Sequence, residues 1–179
     1  MKRTAEGEVD SSSKKQRTED EDENGENTLD LSKDPSSIVN LSYEDKLNYV
    51  SLIAKPMAPK KMTKKLLKLI KKAGKEKGII AGLKNVQKQV RRGDKGITII
   101  AGDVTPIDVI SHLPVLCEDK DIPFAFVPLR YDISAAMGVK RPCVMVMIRK
   151  NDSYQSLYDE CYNLVKSLPV PSQCIEQEA

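Results

Sequence analysis

The chain has 179 residues, 40% hydrophobic and 31% charged, with no Trp and only 4% aromatic residues. That supports one aliphatic core plus a tail and is too short for two large domains. The formal net charge is only +3, but it conceals a strong segregation of sign.

Residues 1–40 are polar, serine-rich and acidic, with too few aliphatics to offset ordering entropy, so they are expected to be disordered. Seven acids and no base lie between Glu19 and Asp30. Lys2 and Arg3, then ten residues, then Lys14, Lys15 and Arg17 look like a bipartite nuclear import signal. Random charge in a tail gives the same pattern.

Ser42 to Val50 has room for a helical turn or two before Pro56 and Pro59 break it. From Thr63, a plausible N-cap, Leu66, Leu67, Leu69 and Ile70 fall on one side of a predicted helix and lysines on the other. Gly78 ends it, and Ile79–Ile80 reads as a short strand. Gly82 opens a second helix with Leu83, Val86 and Val90 inward and Lys84, Lys88, Arg91 and Arg92 outward; Gly93 closes it. From Lys60 to Lys95 there are fourteen Lys or Arg against two acids, an excess of twelve. That asymmetry points to a polyanion partner or to a solvated lysine face.

"ITIIAG" (97–102) predicts a strand covered on both faces. "TPID" predicts a helix start, with Thr105 as N-cap, Pro106 at the first helical position and Asp108 as the acid at the third. A helical segment then runs through Pro114 and Cys117, "PFAFV" is a second buried strand, and "RYDISAAMG" a short helix closed by Gly138. "CVMVMIRK" is a further strand and "SYQSLYDECYNLVKSL" the last helix. Alternating helices and covered strands predict an α/β chain, one α/β/α sandwich. The four cysteines form no C-x-x-C pair, and no apolar run reaches the roughly 20 residues of a membrane helix, which suits free thiols in a soluble intracellular protein.

Catalytic signals are weak. The single histidine, His112, sits among apolar residues and is expected to be packed. A spacing of five puts His112 and Cys117 about 140° apart on a helix, which disfavours a thiol–imidazole pair. No Walker loop, dinucleotide fingerprint or zinc spacing occurs. Asp103 and Asp108 have capping and helix-dipole explanations. The positive signal is a basic helix with glycine at its start, where backbone N–H groups can meet phosphate.

"GLKNVQKQVRRGDKGITIIAGDVTPIDVISHLPVLCEDKDIPFAFVP" (82–128) and "AAMGVKRP" (135–142) resemble the ribosomal-protein family that binds RNA kink-turns. "LIAKPMAPKKMTKKLLKLIKKA" (52–73) and "YDECYNLVKSLPVP" (158–171) are similar to its H/ACA ribonucleoprotein branch more than to its ribosomal or box C/D branches. The resemblance covers about residues 43–171, between the 1–40 tail and a flexible tail at 172–179. It implies a three-layer α/β/α sandwich around a small mixed sheet, with no catalysis and no cofactor. It implies binding to H/ACA guide RNA and docking on a dyskerin-type pseudouridine synthase with its small adaptor subunits. That assembly serves pseudouridylation of rRNA and snRNA, rRNA processing and, in some organisms, telomerase RNA stability, in the nucleus and nucleolus. The alternatives are a box C/D or ribosomal kink-turn-binding protein and, from another class, an RNA-modifying enzyme using His112.

By resemblance, Gly82 is the glycine at which backbone approaches RNA. Lys84 and Asn85 stand where the family places the pair that grips sheared G·A pairs; Lys84 fits the H/ACA pattern, whereas Asn85 replaces its glutamate. Lys88 matches the helix lysine that meets phosphate, and Arg91, on the same basic face, is taken with it as RNA-binding. Thr105 and Val109 line the flipped-out nucleotide. Arg130 stands in place of a lysine, beside Leu129 in place of a serine. Val139, Lys140 and Arg141 form the loop that covers that nucleotide.

Overall fold

The computed structural model describes residues 41–169. The expectations for 1–40, including both basic clusters, and for 172–179 lie outside the described residues. Four strands, β1 (Ile79–Ala81), β2 (Ile97–Ala101), β3 (Phe124–Val127) and β4 (Met145–Ile148), make one sheet in the order β1-β4-β2-β3. β2 and β3 are parallel, and β4 runs antiparallel to both β1 and β2. The carboxyl ends of β1, β2 and β3 therefore share one end of the sheet with the start of β4. Every residue of β2, β3 and β4 is buried. This is why these strands read as continuous apolar runs: a sheet covered on both faces leaves no side for polar residues.

Among the described residues seven helices flank it: α1 (Tyr43–Leu47), α2 (Lys60–Lys75), α3 (Leu83–Arg92), α4 (Asp108–Ser111), α5 (Leu113–Glu118), α6 (Arg130–Met137) and α7 (Gln155–Lys166), the last preceded by a 3-10 turn at Asp152–Tyr154. α3 crosses from β1 to β2, and α4–α5 from β2 to β3. Both crossovers advance the same way across the sheet, so right-handed connection puts them on one face. Gln87 of α3 meets His112 at the α4–α5 junction on that face. α2 packs with α6 and α7 in the opposite layer, where Lys65 pairs with Glu160. The result is the expected α/β/α sandwich with a small mixed sheet. Beside β3 lies Pro56–Ala58: Phe126 N–H donates to Pro56 O and Ala58 N–H donates to Phe126 O, both at 2.9 Å.

The chemistry of each element is local. In α2, Met62, Leu66, Leu69, Ile70 and Ala73 are buried at helical spacing. α3 starts at Gly82 (φ 92°) and stops at Gly93 (φ 89°), positive angles that glycine reaches without strain. α1 is capped by Ser42, whose hydroxyl accepts from Asp45 N–H. It is fixed to α6 by Lys46, whose ammonium reaches both Asp132 oxygens at 2.8 and 3.1 Å.

Three sequence expectations change. α2 begins at Lys60 after Pro59, so Thr63 is not its cap; Thr63 is buried in the first turn and donates back to Ala58 O at 2.9 Å. Thr105 caps no helix either: it is exposed in a bend, and α4 starts at Asp108 with Ile107 before it. His112 is exposed rather than packed. The helix breaks between α4 and α5 at that residue, so a wheel drawn through it assigns the wrong face.

Candidate nucleic-acid interface

Backbone hydrogen bonds gather four segments at the sheet end where β1, β2 and β3 finish. Gly82 N–H donates to Met145 O at 2.9 Å, fixing the start of α3 beside the start of β4. Ala101 N–H donates to Val144 O, and Gly102 N–H to Val127 O, both at 2.8 Å. The loop 102–107, the start of α6 and the loop 138–144 therefore meet beside the first turn of α3. In open α/β sheets this is the end where ligands bind.

The exposed basic groups of this region are Lys84, Lys88 and Arg91, along one face of α3, and Lys140 and Arg141 in the loop after α6. None of the five has an ion-pair partner among the described residues. Arg91 belongs to the last turn of α3, so the stripe runs away from the sheet end. No side chain caps α3, leaving its first N–H groups for an outside acceptor. Asn85 is exposed, donates through Nδ2 to Ala81 O at 3.1 Å, and keeps Oδ1 as an acceptor. A Cβ on Gly82 would stand 3.9 Å from that Nδ2, so Asn85 lies directly over the helix start.

The apolar part divides. Val139 is 44% exposed, while Val109 is half-buried against the core. Thr105 is exposed, and Ile107 beside it is 42% exposed. Sequence reasoning missed Ile107, because it fell within the helix expected to start at Thr105, whereas α4 starts only at Asp108. Arg130 is less available than the other basic groups. Its backbone N–H donates to Asp103 Oδ1 at 2.8 Å, and its Nε lies 3.6 Å from Asp103 Oδ2. Asp103 thus caps α6 across the sheet end and turns the Arg130 side chain inward. Burial raises the Asp103 carboxyl to about 6, against the lowering effects of the Arg130 N–H and guanidinium. The buried Leu129 precedes this helix.

Residues 64–158 match the ribosomal protein L7Ae/L30e/S12e/Gadd45 family. The chain is 53% identical over 131 residues to the H/ACA ribonucleoprotein complex subunit 2-like protein of Drosophila yakuba, covering 73% of this chain and 82% of that one. The chain belongs to the L7Ae/L30e/S12e/Gadd45 family. It is also 48% identical over 130 residues to the H/ACA ribonucleoprotein complex subunit 2-like protein of Xenopus laevis, covering 73% of this chain and 87% of that one. Among solved structures it is similar to the Giardia lamblia 15.5kD RNA binding protein, with a TM-score of 0.64 and 32% identity, covering 67% of this chain and all of that one.

Other features of this L7Ae-family chain lie apart from the sheet-end cluster. A cavity of about 540 Å³ opens at the opposite end of the sheet, lined by Gly96, Ile122, Phe124, Tyr158 and Tyr162 among others, and no sequence-predicted site residue lines it. Glu118 also lines it and is half-buried, whereas Asp119 beside it is exposed. Cys117 is buried, and burial pushes its thiol up to about 12, away from the nucleophilic thiolate. With His112 exposed and Cys117 enclosed, the two do not form a reacting pair. No group of three or more His, Cys, Asp or Glu among the described residues is placed to hold a metal. No helix of the described residues is long and apolar enough to cross a membrane.

Proposed function

We propose that this chain is a non-catalytic RNA-binding subunit of an H/ACA ribonucleoprotein, and that it grips RNA at the carboxyl end of its sheet. The observation that carries the reading is the convergence there of an uncapped helix start at Gly82 with exposed Lys84, Lys88, Lys140 and Arg141. Phosphate is met by these cations and by the first N–H groups of α3. A flipped-out base packs against Val139, Ile107 and Thr105. Val109 backs this wall, and Arg130 shapes it through Asp103 rather than reaching out. Arg91 extends the basic stripe to a more distant phosphate.

Membership of H/ACA particles, rather than a box C/D or ribosomal role, is supported by 53% and 48% identity to relatives named as H/ACA ribonucleoprotein complex subunit 2-like proteins. In that setting the RNA is an H/ACA guide and the protein partner a dyskerin-type pseudouridine synthase with its small adaptors. The particle acts in pseudouridylation of rRNA and snRNA, rRNA processing and telomerase RNA stability. Nuclear and nucleolar residence follows, with Lys2, Arg3, Lys14, Lys15 and Arg17 as the import signal. Sequencing RNA crosslinked to the chain in cells tests the assignment: H/ACA guides are expected, and enrichment of box C/D guides overturns it. In vitro, log K should fall with log salt at a slope of roughly −3 to −5, for about four to six phosphate contacts. Lys88→Ala or Arg141→Ala should weaken binding and flatten the slope, whereas a salt-independent affinity rules out the proposed contact mode.

A further inference from the structure

The lysine run of residues 60–75 belongs to the opposite layer from α3, so the basic sequence block is two surfaces rather than one. Advancing about 100° per residue, all eight lysines of α2 fall within an arc of about 140°. The buried Met62, Leu66, Leu69, Ile70 and Ala73 occupy the other side. α2 contains no acid, and only Lys65 pairs with one, Glu160, among the described residues.

This distribution works against the helix itself. Lys60–Lys64, Lys61–Lys65, Lys64–Lys68, Lys68–Lys72 and Lys71–Lys75 are like-charged neighbours one turn apart, and each such pair is unfavourable. Lys60 and Lys61 also stand at the positive end of the helix dipole, where acids are preferred. A surface kept soluble by charge mixes both signs. A surface of one sign along a whole helix gains only from a partner of the opposite sign.

We propose that α2 is a second phosphate-binding surface, which holds the RNA stem leading away from the sheet-end site; the inference rests on the RNA-binding reading above. Position and spacing both support it. Ala58, just before α2, bonds to Phe126 near the carboxyl end of β3, so Lys60 lies at the end of the molecule that carries the interface. From there the lysines continue for about 22 Å, one per roughly 3 Å of axis. That spacing is close to the about 3.4 Å per phosphate along one strand of a duplex. RNA seated at the sheet end thus meets a second positive surface, which starts at that same end on the other side of the sheet.

The test uses the full chain and two RNAs: a minimal kink-turn hairpin, and the same hairpin with its stem lengthened by about ten base pairs. Lys64, Lys68, Lys71 and Lys75, one contiguous strip of the arc, are changed together to Gln. Affinity for the long RNA should fall about tenfold or more, and its salt slope should shrink by about three to four, near 0.9 for each phosphate lost. The short hairpin should change by less than about twofold, and Arg at the same four positions should preserve long-RNA binding. The Gln variant should melt no lower than the parent, since it removes like-charge pairs. Unchanged long-RNA affinity overturns the proposal, as does an equal loss on both RNAs. Crosslinks between Glu19–Asp30 and α2 in the full chain that persist when the long RNA is bound also overturn it, by assigning the face to that acidic stretch. Arg141→Gln provides the separate control: if it leaves both RNAs bound as before, the sheet-end reading fails rather than this one.

Discussion

Asp103 is the residue on which the site's shape turns, and its carboxyl is held out of water at an energetic cost. Its value rises from the ordinary 3.8 to about 6 because burial outweighs the neighbouring Arg130. The folded state therefore binds its proton more readily than the unfolded state between those values. Stability from this group is fullest below pH 3.8, falls as pH rises through the window, and is lost above about 6. The difference amounts to about 3 kcal/mol. Urea midpoints should thus reflect a contribution that rises as pH is lowered from 7 to 5. Asp103→Asn, which keeps an oxygen for the Arg130 N–H, should reduce that rise. Asp132 is also pushed upward by burial, so some of the trend should remain. Asn85 is the other residue with a defined consequence. A glutamate there offers two charged acceptor oxygens to guanine donors, whereas Asn85 has one neutral Oδ1 and commits its Nδ2 to Ala81. Asn85→Glu should sharpen discrimination between a kink-turn and the same stem with Watson–Crick pairs in place of its G·A pairs, by about 1–2 kcal/mol or roughly tenfold. An unchanged affinity ratio at fixed salt would show that this side chain does not face the pairs.

Among the elements, α1 is tied to the fold by the buried Lys46–Asp132 pair and by Tyr43, whose hydroxyl donates to Ala58 O at 2.6 Å. Lys46 and Asp132 are 11% and 5% exposed in their side chains. Lys46→Met leaves the Asp132 carboxylate enclosed without its cation and should cost about 3 kcal/mol in chemical denaturation. Adding Asp132→Leu should recover much of that loss, because it removes the stranded charge; no recovery would show that Lys46 acts through packing instead. Element boundaries were legible wherever glycine set them: Gly82 and Gly93 for α3, Gly138 for α6. They were misread where a polar residue suggested a cap. Thr63 and Thr105 both fit cap statistics, yet one hydroxyl bonds backward inside a helix and the other residue lies before the helix. Local sequence does not distinguish a threonine that caps from one that folds back. Tyr154 and Tyr158 were likewise unread as core, because their rings are buried only through the packing of α7.

For the whole molecule, the layer architecture was legible from covered strands alternating with amphipathic helices, but the assembly of the site was not. Nothing in the run "CVMVMIRK" says that β4 inserts between β1 and β2. That insertion brings the Arg141 loop beside the start of α3. The same topology separates the lysines of α2 from those of α3, which composition had combined into one excess of twelve. All of the sheet-end residues belong to 41–169. Deleting residues 1–40 should therefore leave affinity for a kink-turn RNA within about twofold while abolishing self-directed nuclear entry. Binding measurements and the localisation of a reporter fusion check the two halves separately.

The strip Pro56–Ala58 has a consequence for how the protein associates. It occupies the outward N–H and C=O of Phe126, hydrogen-bonding groups that the carboxyl half of β3 would otherwise offer beyond the sheet. Prolines at 56 and 59 have no N–H with which to extend the ladder. The opposite edge, β1, is only three residues long and is bounded by Gly78 and Gly82. Both borders are thus poor templates for an added strand, which protects the protein from edge-to-edge aggregation. Partners are left to recognise its side-chain surfaces rather than to extend its sheet.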